Sequence, residues 1–309
     1  MLTITLSAAG YEAVFAPANG GACISLKKGD WEVFHHWDKE EEVEQHPTSY
    51  GLPCLFPPNR IDGGTFTYEG VTSALPIREA DRNVSLHGFL HTRPWQVECY
   101  QEDEDTAEIH MVYEGGPDTD FYQEYPYEFE AELIYRLDAE GLHQKFHLTN
   151  YSENSMPYGL GWHTAFAADP DTRLRVSIGK RVPLSERALP AGDPIPLSEE
   201  EQKFRSEEGQ SHVYAVMDDH FTAEPIQVDG APFHGAVILR GEHTVYYRVD
   251  AFYKHWMIWN CFREGSFICV EPQNWRVNAP NLAIPAEESG LDVLKPQETV
   301  TVSSDVYVK

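Results

Sequence analysis

Histidine, glutamate and arginine are the side chains of this 309-residue chain whose types and surroundings suit proton transfer. His163 sits alone in Tyr158-Gly159-Leu160-Gly161-Trp162-His163-Thr164-Ala165-Phe166, among bulky apolar residues. Burial and neighbours shift an imidazole's proton affinity, and a donor working near neutral pH needs such an adjustment. Taken alone, the stretch reads first as a satisfied core histidine and second as a general acid. Glu271 ends the apolar run Phe267-Ile268-Cys269-Val270 and precedes Pro272, which restricts it to an extended backbone. Apolar neighbours such as Trp275 would raise its pKa towards that of a working base, against the alternative of a strand-terminal glutamate facing water.

Two further stretches carry polar chemistry. Arg60 follows Pro57-Pro58-Asn59 and precedes the turn-forming Gly63-Gly64. Its planar fork of donors suits hydroxyl or carboxylate oxygens, and a salt-bridged surface arginine is the competing reading. His87 and His91 in Ser85-Leu86-His87-Gly88-Phe89-Leu90-His91 are four apart, a metal-ligand spacing only on a helix, and Gly88 argues against one. No metal site is expected. The adjacent His35-His36 pair is assigned to the surface.

The elements that must position these groups are strands. Phe129, Ala131, Leu133, Tyr135 and Leu137 alternate with Glu128, Glu130, Glu132 and Arg136, as do Leu142, Phe146 and Leu148 with His143, Lys145 and His147. Polar turn clusters separate many such runs, which predicts an all-β sandwich of two large twisted sheets and one continuous domain over residues 1–309. Ser198 and Glu201 form a capping-box pattern that opens a short helix, whereas Asp38 to Glu44 reads as a solvated acidic loop and Val182 to Pro196 as an excursion between strands.

Composition limits the partners. With 41% hydrophobic residues the chain can bury a substantial core, and 50 acidic against 23 basic residues give a formal charge of -27. Such a field repels nucleic acid and anionic lipid and favours neutral or cationic ligands. Five cysteines form neither a CxxC pair nor an even set, so they read as reduced. The start lacks a signal-peptide pattern, and no apolar run reaches the ~18 residues of a membrane span, so a cytoplasmic protein is expected. No GxSxG elbow, P-loop or post-strand GxGxxG is present.

In this order along nearly the whole chain, Asn59-Arg60-Ile61 with Gly64, Phe66 and Gly70, Leu86-His87-Gly88-Phe89 with Trp95, Gly159-Leu160-Gly161-Trp162-His163, and Glu271-Pro272 with Ala279-Pro280-Asn281 closely resemble the aldose 1-epimerase (galactose mutarotase-like) family. The ending Leu294-Lys295-Pro296-Gln297-Glu298-Thr299 is similar to that family's last strand entry. The resemblance implies an antiparallel β-supersandwich with few short helices and interconversion of the α and β anomers of a free aldose, such as galactose or glucose. It implies no cofactor or metal, and a monomer or homodimer. Carried onto matching positions, Glu271 is the general base and His163 the general acid, on opposite sides of a cleft one sugar ring wide. Arg60, His87 and Asn59 bind sugar oxygens. A further sugar-binding aspartate falls in Met217 to Phe221, where Asp218 is favoured by its spacing and Asp219 is the alternative. Trp162, Trp275 and Phe89 are available to pack on the sugar ring, and Gly159 with Gly161 to keep the cleft floor bare.

The chain departs from the best-known members: Gly-Phe follows His87, and Thr-Ala-Phe follows His163. A hexose-6-phosphate 1-epimerase of the same superfamily is the nearest alternative, with Arg78, Arg82, Arg93, Lys254 and Arg276 as possible phosphate partners. A non-catalytic carbohydrate-binding module is the third reading.

Overall fold

The alternation from Phe129 to Leu137 becomes the buried face of strand Phe129–Asp138 in the computed structural model, which describes residues 2–309. This strand pairs antiparallel with Ala107–Gly115, Leu133 opposite Met111, and with Gly141–Asn150, Leu133 opposite Phe146. Six more strands complete a nine-stranded sheet. On one side it continues through Gln96–Glu102, and on the other through Thr299–Val308, His243–Val249, Gly235–Arg240, Arg173–Val176 and Gln210–Ser211. A seven-stranded sheet is built from Ile178–Val182, Asp218–Ala223, His255–Trp259, Phe267–Gln273, Gly161–Trp162 and Cys54–Leu55, with Thr164–Ala167 also on Phe267–Gln273. Ile4–Ala8, Tyr11–Ala16, Ala22–Lys28 and Trp31–Glu32 form a third, four-stranded sheet.

One apolar cluster joins these layers, with Leu133, Phe146 and Val302 from the nine-stranded sheet meeting Trp256, Ile258, Ile268 and Val270 from the seven-stranded one. Because successive side chains on a strand face opposite ways, burying the even-numbered residues of these two strands turns Met257, Trp259 and Glu271 to the other face. Period-two alternation thus supplies the core and the site from the same strands.

Helices are few and short, at Glu40–Gln45, Glu199–Gln202 and Ala286–Ser289, besides 3-10 turns. The second carries the predicted capping box: Ser198 Oγ accepts from the Glu201 backbone N–H, and the Glu201 carboxylate accepts from that of Ser198. The first replaces the expected loop at Asp38 to Glu44. Three glutamates in its first turn suit the positive end of the helix dipole, and buried Val43 anchors it. His35 is also not a free surface residue, since its ring is stacked between Tyr50 and Phe267 at 4.8 and 4.2 Å. Among the described residues, no helix is long and apolar enough to cross a membrane.

Candidate active site

Glu271 and His163 meet directly. Glu271 faces Met257 across the sheet, within strand Phe267–Gln273 and not at its end, and is 2% exposed. His163 lies in the one-residue gap between Gly161–Trp162 and Thr164–Ala167, where its backbone N–H donates to the Pro53 carbonyl. Its Nε2 is 3.2 Å from Glu271 Oε1, so the two do not stand on opposite sides of a ring-wide cleft. Burial is the main influence on both. Reinforced by His91 and Arg60, it lowers the His163 imidazole to about 3. Reinforced by the Asp218 carboxylate and opposed by Arg60, it raises Glu271 well above the usual carboxylate range. Burial thus disfavours charge on both partners of this contact.

A cavity of about 460 Å³ opens over this pair, and Asn59, Arg60, His87 and Asp218 line it as well. Arg60 begins the short strand Arg60–Asp62, held opposite Leu86 by Val84–Leu86. Its guanidinium is clamped by Glu79, Nε to Oε2 at 2.5 Å, and reaches Asp218 Oδ2 with Nη2 at 3.3 Å. Burial works against its charge, but the two carboxylates outweigh it and hold its pKa up. Asn59 and His87 both adopt left-handed backbone, φ 56° and 59°. The His87 N–H donates to the Asn59 carbonyl, locking the two turns together. The His87 ring stands edge-on to His163, centroids 5.1 Å apart, and is kept neutral by burial and by His163, His91 and Arg60.

Strand parity separates the two aspartates. Asp218 lies opposite Trp259 and faces the cavity with it, whereas Asp219 lies opposite core residue Ile258. Asp219 pairs instead with Arg181 Nη2 at 2.5 Å, and Arg181 also binds Glu201.

Other expectations are redirected. Trp162, Trp275 and Phe89 are core residues: Trp162 donates its indole N–H to Tyr253, and Phe89 stacks on Phe121. The aromatic residues that line the cavity are Trp259 and Phe262. Phe262 is 81% exposed and sits in a left-handed run from Cys261 to Arg263. Gly159 is small for packing reasons, since a Cβ there would come 2.5 Å from Trp275 and 2.6 Å from Pro58. Glu79 also belongs to this site, and its place in Arg78-Glu79-Ala80 gives no local signal of burial or pairing. Of the five cations considered for a phosphate, only Arg82 lines this cavity, and Glu79 binds it at 2.7 Å. Arg93 pairs with Asp120, while Lys254 and Arg276 line a different cavity. Among the described residues, no group of three or more His, Cys, Asp or Glu is placed to hold a metal ion.

The arrangement offers a buried acid–base pair that exchanges one proton, beside a wall of donors and acceptors suited to hydroxyl groups. A family model described as aldose 1-epimerase matches residues 2–306. A galactose mutarotase-like protein from Clostridium acetobutylicum is 32% identical, with a TM-score of 0.95 over 99% of this chain and 95% of that one. A galactose 1-epimerase from Lactobacillus acidophilus NCFM shares the fold at 16% identity, with a TM-score of 0.75 over 99% and 94% of the two chains. The protein YihR of Escherichia coli (strain K12) is 29% identical over 163 residues, 52% of this chain and 49% of that protein. The chain thus spans about half the length of that relative.

Proposed function

The chain belongs to the aldose 1-epimerase family, and we propose that it interconverts the α and β anomers of a free aldose by opening and reclosing the sugar ring. The observation that carries this reading is the 3.2 Å contact between His163 Nε2 and Glu271 Oε1 on the cavity that Arg60, His87 and Asp218 also line. Ring opening takes a proton from the C1 hydroxyl and gives one to the ring oxygen. Both oxygens are bonded to C1, so a base and an acid side by side, as these two are, can serve them. Arg60, His87, Asn59 and Asp218 hold the remaining hydroxyls, and the exposed ring of Phe262 is available at the cavity wall.

The proton balance closes within the pair. The transfer runs from the form of the pair that carries the proton on His163 and leaves Glu271 a carboxylate. Glu271 then takes the C1 hydroxyl proton, His163 Nε2 protonates the ring oxygen, and the C1 to ring-oxygen bond breaks to leave an aldehyde. Both side chains are now neutral, the state that burial favours. Rotation about C1–C2 and the reverse transfers return either anomer.

Polarimetry of freshly dissolved α-glucose and α-galactose tests the reading. An increased approach to anomeric equilibrium is expected. No acceleration across a panel of free aldoses and their 6-phosphates would replace this reading with that of a sugar-binding module.

A further inference from the structure

A second concentration of polar chemistry lies on the same face of the seven-stranded sheet, about 7 Å along the strand. His255 precedes Met257 by two residues and faces Gln273, just as Met257 faces Glu271. A cavity of about 700 Å³ opens there, and its lining includes Lys180, Lys254, His255, Arg276, Glu287 and Glu288. It shares no lining residue with the catalytic cavity. Met257 of the first cavity and Val277, next to Arg276 of the second, pack with Val84 and Leu189 in one apolar cluster.

Arg276 is the unusual member of this lining. Arg60 and Arg181 are each bound by two carboxylates. Arg276 is 5% exposed, yet its Nη2 reaches only the Gly192 carbonyl at 2.7 Å and its Nε has no partner. Asp193 and Glu288 act on it only as longer-range charges. Lys254 adds a second cation, with its nearest carboxylate, Asp292, at 3.7 Å. A buried guanidinium without a paired anion is costly, and its planar donors match a carboxylate or phosphate. The acidic residues in the lining are exposed and stand at the rim: Glu224, held by Arg205, with Glu287 and Glu288. They oppose a bare anion but accept hydrogen bonds from hydroxyl groups.

We propose that this second cavity binds a small metabolite with an oxyanion head, phosphate or carboxylate, on a hydroxylated body. The head seats on Arg276 and Lys254, and hydroxyls face Glu287 and Glu288. The overall charge of -27 opposes anions at long range, so affinity depends on these local donors.

Calorimetric titration of the full chain with glucose 6-phosphate, gluconate, inorganic phosphate and glucose tests this. Glucose 6-phosphate or gluconate should bind, identifying the head, and more tightly than inorganic phosphate, whereas any binding of glucose, a ligand of the catalytic cavity, should not depend on Arg276 or Lys254. Arg276→Gln and Lys254→Met should each weaken binding about ten-fold or more, the loss of a charge-assisted hydrogen bond, while Arg82→Gln, in the catalytic cavity, should leave it unchanged. Near-UV circular dichroism checks folding, and half-exposed Lys254 carries the test if Arg276→Gln does not fold. The proposal is overturned by no binding of either organic anion at millimolar concentration, by unchanged affinity in the folded variants, by a loss confined to Arg82→Gln, or by inorganic phosphate binding as tightly.

Discussion

Replacing Glu271 with glutamine separates the catalytic from the structural part of the His163 contact. The side chain keeps its size and a hydrogen-bonding partner for His163 Nε2, 3.2 Å away, but loses the ability to take a proton. General acid–base catalysis contributes about 10²–10⁴-fold, or about 2.7–5.5 kcal/mol of barrier, and mutarotation followed by polarimetry should slow by that factor. Stability should hardly change. If the pair were ionic, removing the carboxylate would strand a buried imidazolium at about 3–5 kcal/mol. Burial instead favours the neutral form of both partners, and exchanging one neutral hydrogen bond for another costs about 1 kcal/mol or less. Urea unfolding at pH 7.5 measures this. Near-wild-type mutarotation in Glu271→Gln would refute the assignment of the base, and a stability loss of the ionic size would refute the neutral pair.

The two neighbouring aspartates should behave differently. Asp218→Asn removes a cavity carboxylate that engages Arg60 at 3.3 Å and should raise KM for the aldose about ten-fold or more. Asp219→Asn acts on Arg181 and should instead lower the unfolding temperature with KM unchanged; the reverse pattern would contradict the parity argument. Stability should fall in acid. His163 and His255, lowered to about 3, and His91, lowered to about 4, stay neutral in the fold while the unfolded chain takes up protons below 6.5. Their contribution is present above that pH and is lost as the pH falls towards 3, by at most about 2 kcal/mol per ring at pH 5. Glu271 has the opposite sign, contributing fully below its unfolded pKa and losing that contribution as the pH rises through its raised folded value. An unchanged urea midpoint between pH 7 and pH 5 would count against the buried neutral histidines. Gly88→Ala places a Cβ 1.9 Å from the Phe56 carbonyl oxygen at φ +61° and should cost about 2–5 kcal/mol. A thermal unfolding midpoint equal to wild type would disprove that crowding.

Local pattern made much of this protein legible. Alternation from Phe129 to Leu137 specified a half-buried strand, and Ser198 with Glu201 specified a capped helix, because side-chain direction and capping depend on residues only a few positions apart. The motifs around Arg60, His87, His163 and Glu271 named side chains that line one cavity. What the sequence alone could not decide was how they meet. The Glu271–His163 contact joins residues 108 positions apart, and Arg60 to Asp218 spans 158. The same holds for Glu79, which clamps Arg60 from an ordinary polar stretch, and for Trp259 and Phe262, which line the cavity where Trp162 and Trp275 are core. Asp218 and Asp219 are alike in type and adjacent in sequence, and the register against Trp259 and Ile258 decides which one faces the cavity. The sequence determined which residues alternate and which are chemically able. The tertiary structure determined which of them share a face, because pairing between distant strands fixes a register that no local spacing contains.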